Sequence, residues 1–210
     1  MCFSAVASFG AGALLTGAAI VAARKVQRPA QRALAAIPGI FAIQQFTEGF
    51  VWLSLSNESF ARWAQTSTFL FLFFAEVFWP AWIPFAMVLL EKDRWRKRIL
   101  YGLLGLGLML SAISIYGLMV YPYHAQISGY HIQYWLDTPP YWDMFVLIIY
   151  GLVAVVPTFF SSVPRMWWLG LIIAGSYFIT LAFFPHHVIS VWCYFAAIIS
   201  VLIVFVLSKR

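Results

Sequence analysis

The sequence predicts an all-α fold: a single transmembrane domain over residues 1–210 built as a seven-helix bundle, with the N-terminus outside and the C-terminus in the cytoplasm. Three observations predict it. The chain is 63% hydrophobic and 10% charged, against about 25% charged in an ordinary soluble domain, so it holds more apolar surface than one soluble core hides. Its apolar residues gather into seven runs near the roughly 20 residues that a helix needs to cross a bilayer. Its basic residues fall almost entirely in every second gap between those runs. Lipid offers the backbone no hydrogen-bond partners, so each crossing is a helix or a strand of a closed barrel. Barrel strands alternate apolar and polar residues over about ten positions, and these runs do not.

The runs cover Phe3–Ala23, Ala33–Leu55, Ala64–Leu90, Ile99–Tyr121, Trp142–Phe160, Arg165–Phe184 and His187–Leu207. Between them lie the charged stretch Arg24–Arg32, the polar Ser54–Arg62, the cluster Glu91–Arg98, a long loop around Pro122–Pro140, then Ser161–Arg165 and Pro185–His187. The first run has no basic residues before it and Arg24 and Lys25 after it, which predicts a retained N-out helix instead of a cleaved signal. Ser8, Gly12 and Thr16 repeat every four positions along it, a spacing suited to close helix contact in lipid.

Lys and Arg near helix ends stay on the cytoplasmic side. With seven spans, Arg24, Lys25, Arg28, Arg32, Lys92, Arg94, Arg96, Lys97, Arg98, Arg165, Lys209 and Arg210 share one side, and only Arg62 of the thirteen basic residues lies opposite. The net charge of +6 therefore reports topology, and no nucleic-acid partner is expected.

The opening Met1-Cys2-Phe3-Ser4-Ala5, with Ala7-Ser8-Phe9, Ile37-Pro38, Phe41 to Gln45, Glu48-Gly49, Trp52 and the stretch from Trp79-Pro80 to Pro84, resembles a family of uncharacterised bacterial integral membrane proteins. The resemblance is strongest over the first ninety residues. It implies a bacterial inner-membrane location and supplies no activity.

Ionisable groups inside a membrane span are costly and usually face the bundle interior or a cavity. Glu48 and Glu76 are the two acids so placed, and they are the candidate catalytic residues. Gln44, Gln45 and Trp52 stand three or four positions from Glu48 and so share its helical face. On the last helix, His186 or His187 begins a polar face that continues through Ser190 to Cys193 or Tyr194. Gln44, Gln45, Trp52, Ser190 and Tyr194 are the expected binding residues. His, Cys and carboxylate groups ligate zinc and other transition metals, which makes His186, His187, Glu48 and Cys2, with Glu76 or Asp143 beside them, the candidate metal ligands. The chain contains no HExxH, HxxxH or CxxC.

Several functions are excluded by absence. Lys25, Lys92, Lys97 and Lys209 all lie at membrane edges, so the last helix offers no lysine for a retinal Schiff base. No Gly-rich phosphate loop occurs. The seven-helix membrane hydrolases of the alkaline ceramidase and adiponectin receptor type are similar in span count, but their last-helix pair of histidines four apart is missing here. The Phe-rich stretches Phe69–Phe74 and Phe78–Trp82, kinked at Pro80 and Pro84, suit an apolar cavity. The expectation is a metal-dependent hydrolase working on a lipid-like or apolar substrate in the outer half of the bundle. Membrane lipids and an apolar small molecule are its expected partners. A proton-coupled transporter and a small-ligand sensor or scaffold are the alternatives.

Overall fold

The computed structural model describes residues 4–208, without the side chains of Pro140, Tyr141, Asp143 and Met144. It is 81% helical. Seven helices follow in chain order: α1 (Ala5–Arg24), α2 (Arg32–Ser56), α3 (Glu58–Leu90), α4 (Arg94–Val120), α5 (Pro140–Phe159), α6 (Met166–Phe183) and α7 (Pro185–Leu207). All but α5 are long and apolar enough to cross a membrane as described, and α5 holds a shorter apolar helix, Phe145–Phe159. Six such helices are the mark of a multi-pass membrane protein.

Local signals start the helices where expected. Ser4 Oγ accepts from the Ala7 N–H at 3.2 Å, and Asp93 Oδ1 accepts from the Trp95 and Arg96 N–H groups at 3.0 and 2.9 Å, satisfying donors that a helix start leaves open. Helix α2 lies at the centre, against α1, α3 and α7, while α3 contacts α4 and α5, and α6 bridges α5 to α7. Of the small residues on α1, Ser8 and Gly12 are buried, whereas Thr16 is exposed and turns its hydroxyl onto the Gly12 carbonyl at 2.9 Å.

The basic segments meet at one end. Lys25 Nζ donates to Ser208 Oγ, and the turn after α3 is tied to the turn after α5 through Glu91 and Ser162. At the opposite end the segment read as a loop is a β-hairpin. Strands β1 (Tyr123–Ser128) and β2 (His131–Leu136) pair antiparallel, with Ser128 opposite His131. Gly129, at φ 60°, takes the first central position of the two-residue turn, the place where a hairpin turn favours glycine. Ile132 and Tyr134, two apart on β2, are buried, and Tyr134 stacks on Phe71 of α3 with ring centroids 4.6 Å apart. The hairpin is therefore a cap laid over the helix ends.

Candidate functional site

Polar side chains in a bundle core need partners, because lipid and packed carbon supply none. The stripe on α2 finds them on two helices. Glu48 is fully buried, and its Oε1 accepts from Ser190 Oγ of α7 at 2.8 Å while its Oε2 accepts from Gln45 Nε2 at 3.3 Å. Gln44 Oε1 accepts from Trp79 Nε1 of α3 at 2.6 Å, and Trp79 stacks on Phe41 with centroids 3.9 Å apart. One helical face thus ties α2 to α3 and α7 by hydrogen bonds.

Glu76 is delivered differently. Residues Phe73–Phe78 of α3 form a π-helical turn immediately before Trp79 and Pro80. A π turn widens the helix, and proline supplies no N–H, so carbonyls there lose their ordinary helix partners. Two hydroxyls from neighbouring helices meet carbonyls of this turn: Tyr150 of α5 donates to Ala75 O, and Ser111 of α4 donates to Val77 O at 2.6 Å. Glu76 lies between these two anchored residues.

The anchored turn forms the floor of a cavity of about 420 Å³ beneath the hairpin, inside the range of about 300–1,000 Å³ typical of small-molecule sites. Glu76, His186, His187, Ser190 and Cys193 all line it. Glu48 does not line it; Ser190, held to Glu48 by its hydroxyl, stands between that acid and the cavity. Trp52 is buried beneath the hairpin among Val51, Phe71 and Leu72, and Tyr194 is half-buried; neither borders the cavity. A smaller apolar void of about 60 Å³ shares Tyr150, Trp192 and Cys193 with it and runs toward Phe41 and Ile203.

At the cavity's edge, the rings of His187 and His131 of β2 stand 5.0 Å apart, with Phe184 edge-on to His131 at 5.3 Å. Burial, with His187 beside it, holds the His131 imidazole below its usual range, which keeps it neutral at pH 7. Among the described residues, no three His, Cys, Asp or Glu side chains gather as a metal-binding group. Cys2 and the Asp143 side chain, which the zinc expectation also drew on, lie outside the described residues. Cys193 is a free, buried thiol.

Sequence reasoning missed Tyr150, Tyr177 and Glu91. Tyr150 and Tyr177 sit inside apolar runs, and a tyrosine there signals a hydroxyl that must reach a carbonyl; Tyr177 donates to Leu147 O at 2.8 Å. Glu91 reads as one more charge in a charged turn, yet it is buried.

A sequence model described as a family of unknown function (DUF6629) matches residues 1–210. Neither a curated protein nor a solved structure matches the chain.

Proposed function

The chain belongs to this family of unknown function, DUF6629, across its whole length, and from the geometry we propose that it binds a small amphiphilic, lipid-like molecule in the cavity under the hairpin. The observation that carries this reading is a space of about 420 Å³ walled mainly by aromatic and aliphatic side chains, with one carboxylate, Glu76, in its lining. An apolar pocket with a few convergent polar groups is the usual form of a ligand site. The ligand's apolar body rests on the aromatic walls, and its polar end meets Glu76, Ser190 or the His186–His187 turn. Glu48, Gln44 and Gln45 hold α7 and α3 in register behind it. In this reading the hairpin and the cavity mouth face the non-cytoplasmic side of a bacterial inner membrane, an orientation supported by the basic residues gathered at the far end.

One observation also favours the hydrolase reading. Ser190 borders the cavity while its hydroxyl donates to buried Glu48, the relation of a nucleophile to its base. In that reaction Ser190 Oγ attacks a substrate carbonyl, Glu48 takes the hydroxyl proton and returns it to the leaving alcohol, and water then frees the acyl group.

The test is native mass spectrometry of protein extracted in mild detergent, comparing the natural chain with Val146→Trp and Ile189→Trp, which fill the space from two helices. A retained amphiphile is expected on the natural chain and lost from both folded variants. Equal retention, or none on any chain, overturns the reading. Hydrolysis adds a cleaved product that disappears in Ser190→Ala while binding persists.

A further inference from the structure

Resting on the cavity reading above, we infer that the polar end of the ligand is an organic cation, an ammonium group carried on an apolar body. The cavity borders six aromatic rings: Tyr134 and Trp135 from β2, Trp142 and Tyr150 from α5, Tyr177 from α6 and Trp192 from α7. Three of them form one continuous wall, with Trp192 lying 5.2 Å from Tyr150 and 4.7 Å from Tyr177 between ring centroids. The hydroxyls of Tyr150 and Tyr177 are spent on the Ala75 and Leu147 carbonyls, so these residues keep fixed positions and offer the ligand ring surface. Aromatic faces carry negative potential and attract cations, most strongly where water is excluded, and cages of such rings recognise quaternary ammonium groups.

The charges around the cavity agree. Its lining contains a carboxylate, Glu76, and no Lys or Arg among the described residues. Tyr150 donates to the carbonyl of Ala75, the residue before Glu76, so the carboxylate and the aromatic wall border the same part of the space. An anion there would meet Glu76 and the ring faces with no Lys or Arg in the described lining to balance them, and would be disfavoured by like charge. A cation with a hydrocarbon body satisfies both halves of the lining, since the carboxylate and rings take the charge and the aliphatic side chains take the tail.

The experiment uses the full chain in an uncharged detergent and titrates it with choline, with its uncharged carbon isostere 3,3-dimethylbutan-1-ol, with hexyltrimethylammonium and with hexyl sulfate. Binding is followed by tryptophan fluorescence and by calorimetry. The expected result is that choline binds at least about tenfold more tightly than its isostere, that hexyltrimethylammonium binds more tightly still, and that hexyl sulfate does not compete. Glu76→Gln should cost the cations about tenfold and leave the isostere unchanged, with Glu76→Asp restoring part of the preference. If the isostere or the sulfate binds as well as the cations, or if Glu76→Gln keeps the preference, the inference fails while the cavity reading stands. If no probe binds and no amphiphile is retained by the natural chain, both fall together.

Discussion

Glu91 shows how a single acid can be set by backbone alone. Burial raises its pKa, but the N–H groups of Asp93, Ser162 and Lys92 and the Ser162 hydroxyl point at the carboxylate, and their sum leaves it below its ordinary 4.5. The contacts are short: 2.8 Å from Lys92 N and Asp93 N, 2.6 Å from Ser162 N and 2.8 Å from Ser162 Oγ. Hydrogen bonds to the charged form favour it, and here they lock the turn after α3 to the turn after α5. Glu91→Gln puts donors where donors already point, and thermal unfolding in detergent should show a loss of about 1–3 kcal/mol. The sign of the pH dependence follows from the lowered value. The unfolded chain binds the proton first as pH falls, so the stabilisation is complete above pH 4.5 and is lost as pH drops through the folded pKa. A variant as stable as the natural chain, or a natural chain whose stability is flat in acid where that variant's is also flat, would refute the clamp. The signal in sequence was weak, because Glu91 heads a stretch of charges whose other members are exposed or half-buried.

At the scale of the element, the decisive feature is the broken helix α3. Pro84 supplies no N–H to the turn before it, and the Pro80 carbonyl lies against α4: a Cβ built on Gly107 would stand 2.0 Å from that oxygen. Only a glycine allows the two backbones to come this close. Gly107→Ala should therefore push α4 from α3 and cost about 1–3 kcal/mol, whereas Gly105→Ala, where a Cβ meets nothing within 4 Å, should be neutral or stabilising by up to about 1 kcal/mol through helix propensity. Thermal unfolding of the pair checks this, and equal midpoints would show that the contact is not tight. The loss of backbone donors at Pro80 and Pro84 was legible, since proline carries no N–H. The π turn at Phe73–Phe78 was not, because no residue type marks a change from i→i+4 to i→i+5 bonding; it is stabilised by hydroxyls arriving from α4 and α5. The hairpin at 123–136 was equally hidden. Gly129 signals a turn, but the strands are short and lie inside a segment bounded by Pro122 and Pro139, and two strands alone are barely stable. They persist because Ile132 and Tyr134 bury themselves on the helix ends.

For the whole molecule, the prediction concerns orientation. With Cys2→Ser as the background and Cys193 buried, single accessible cysteines can be introduced at exposed Gln126 on the hairpin and at exposed Lys92 on the basic end. In intact bacterial cells a membrane-impermeant thiol reagent should label Gln126→Cys and spare Lys92→Cys until the cells are opened, as the placement of Lys and Arg requires. The reverse pattern, or labelling of both from outside, would refute the proposed orientation. In the same layout the cavity lies beneath the hairpin, at the end away from the basic cluster.

The sequence by itself determined the class of the protein and the helices that carry it, because the cost of an unpaired backbone in lipid turns every long apolar run into a helix whatever its neighbours are. It also singled out Glu48, Gln44 and Gln45 as an inward stripe and Glu76, His187 and Ser190 as polar groups needing company, since hydrocarbon penalises each of them one residue at a time. Only the tertiary structure decided which of these meet: Glu48 with Ser190 and Gln45, Gln44 with Trp79, and Glu76 with the histidine turn around one aromatic cavity, apart from Glu48. Such pairings depend on how seven helices are rotated and broken against one another, and that is set by packing contacts spread over the entire bundle, which no local spacing records.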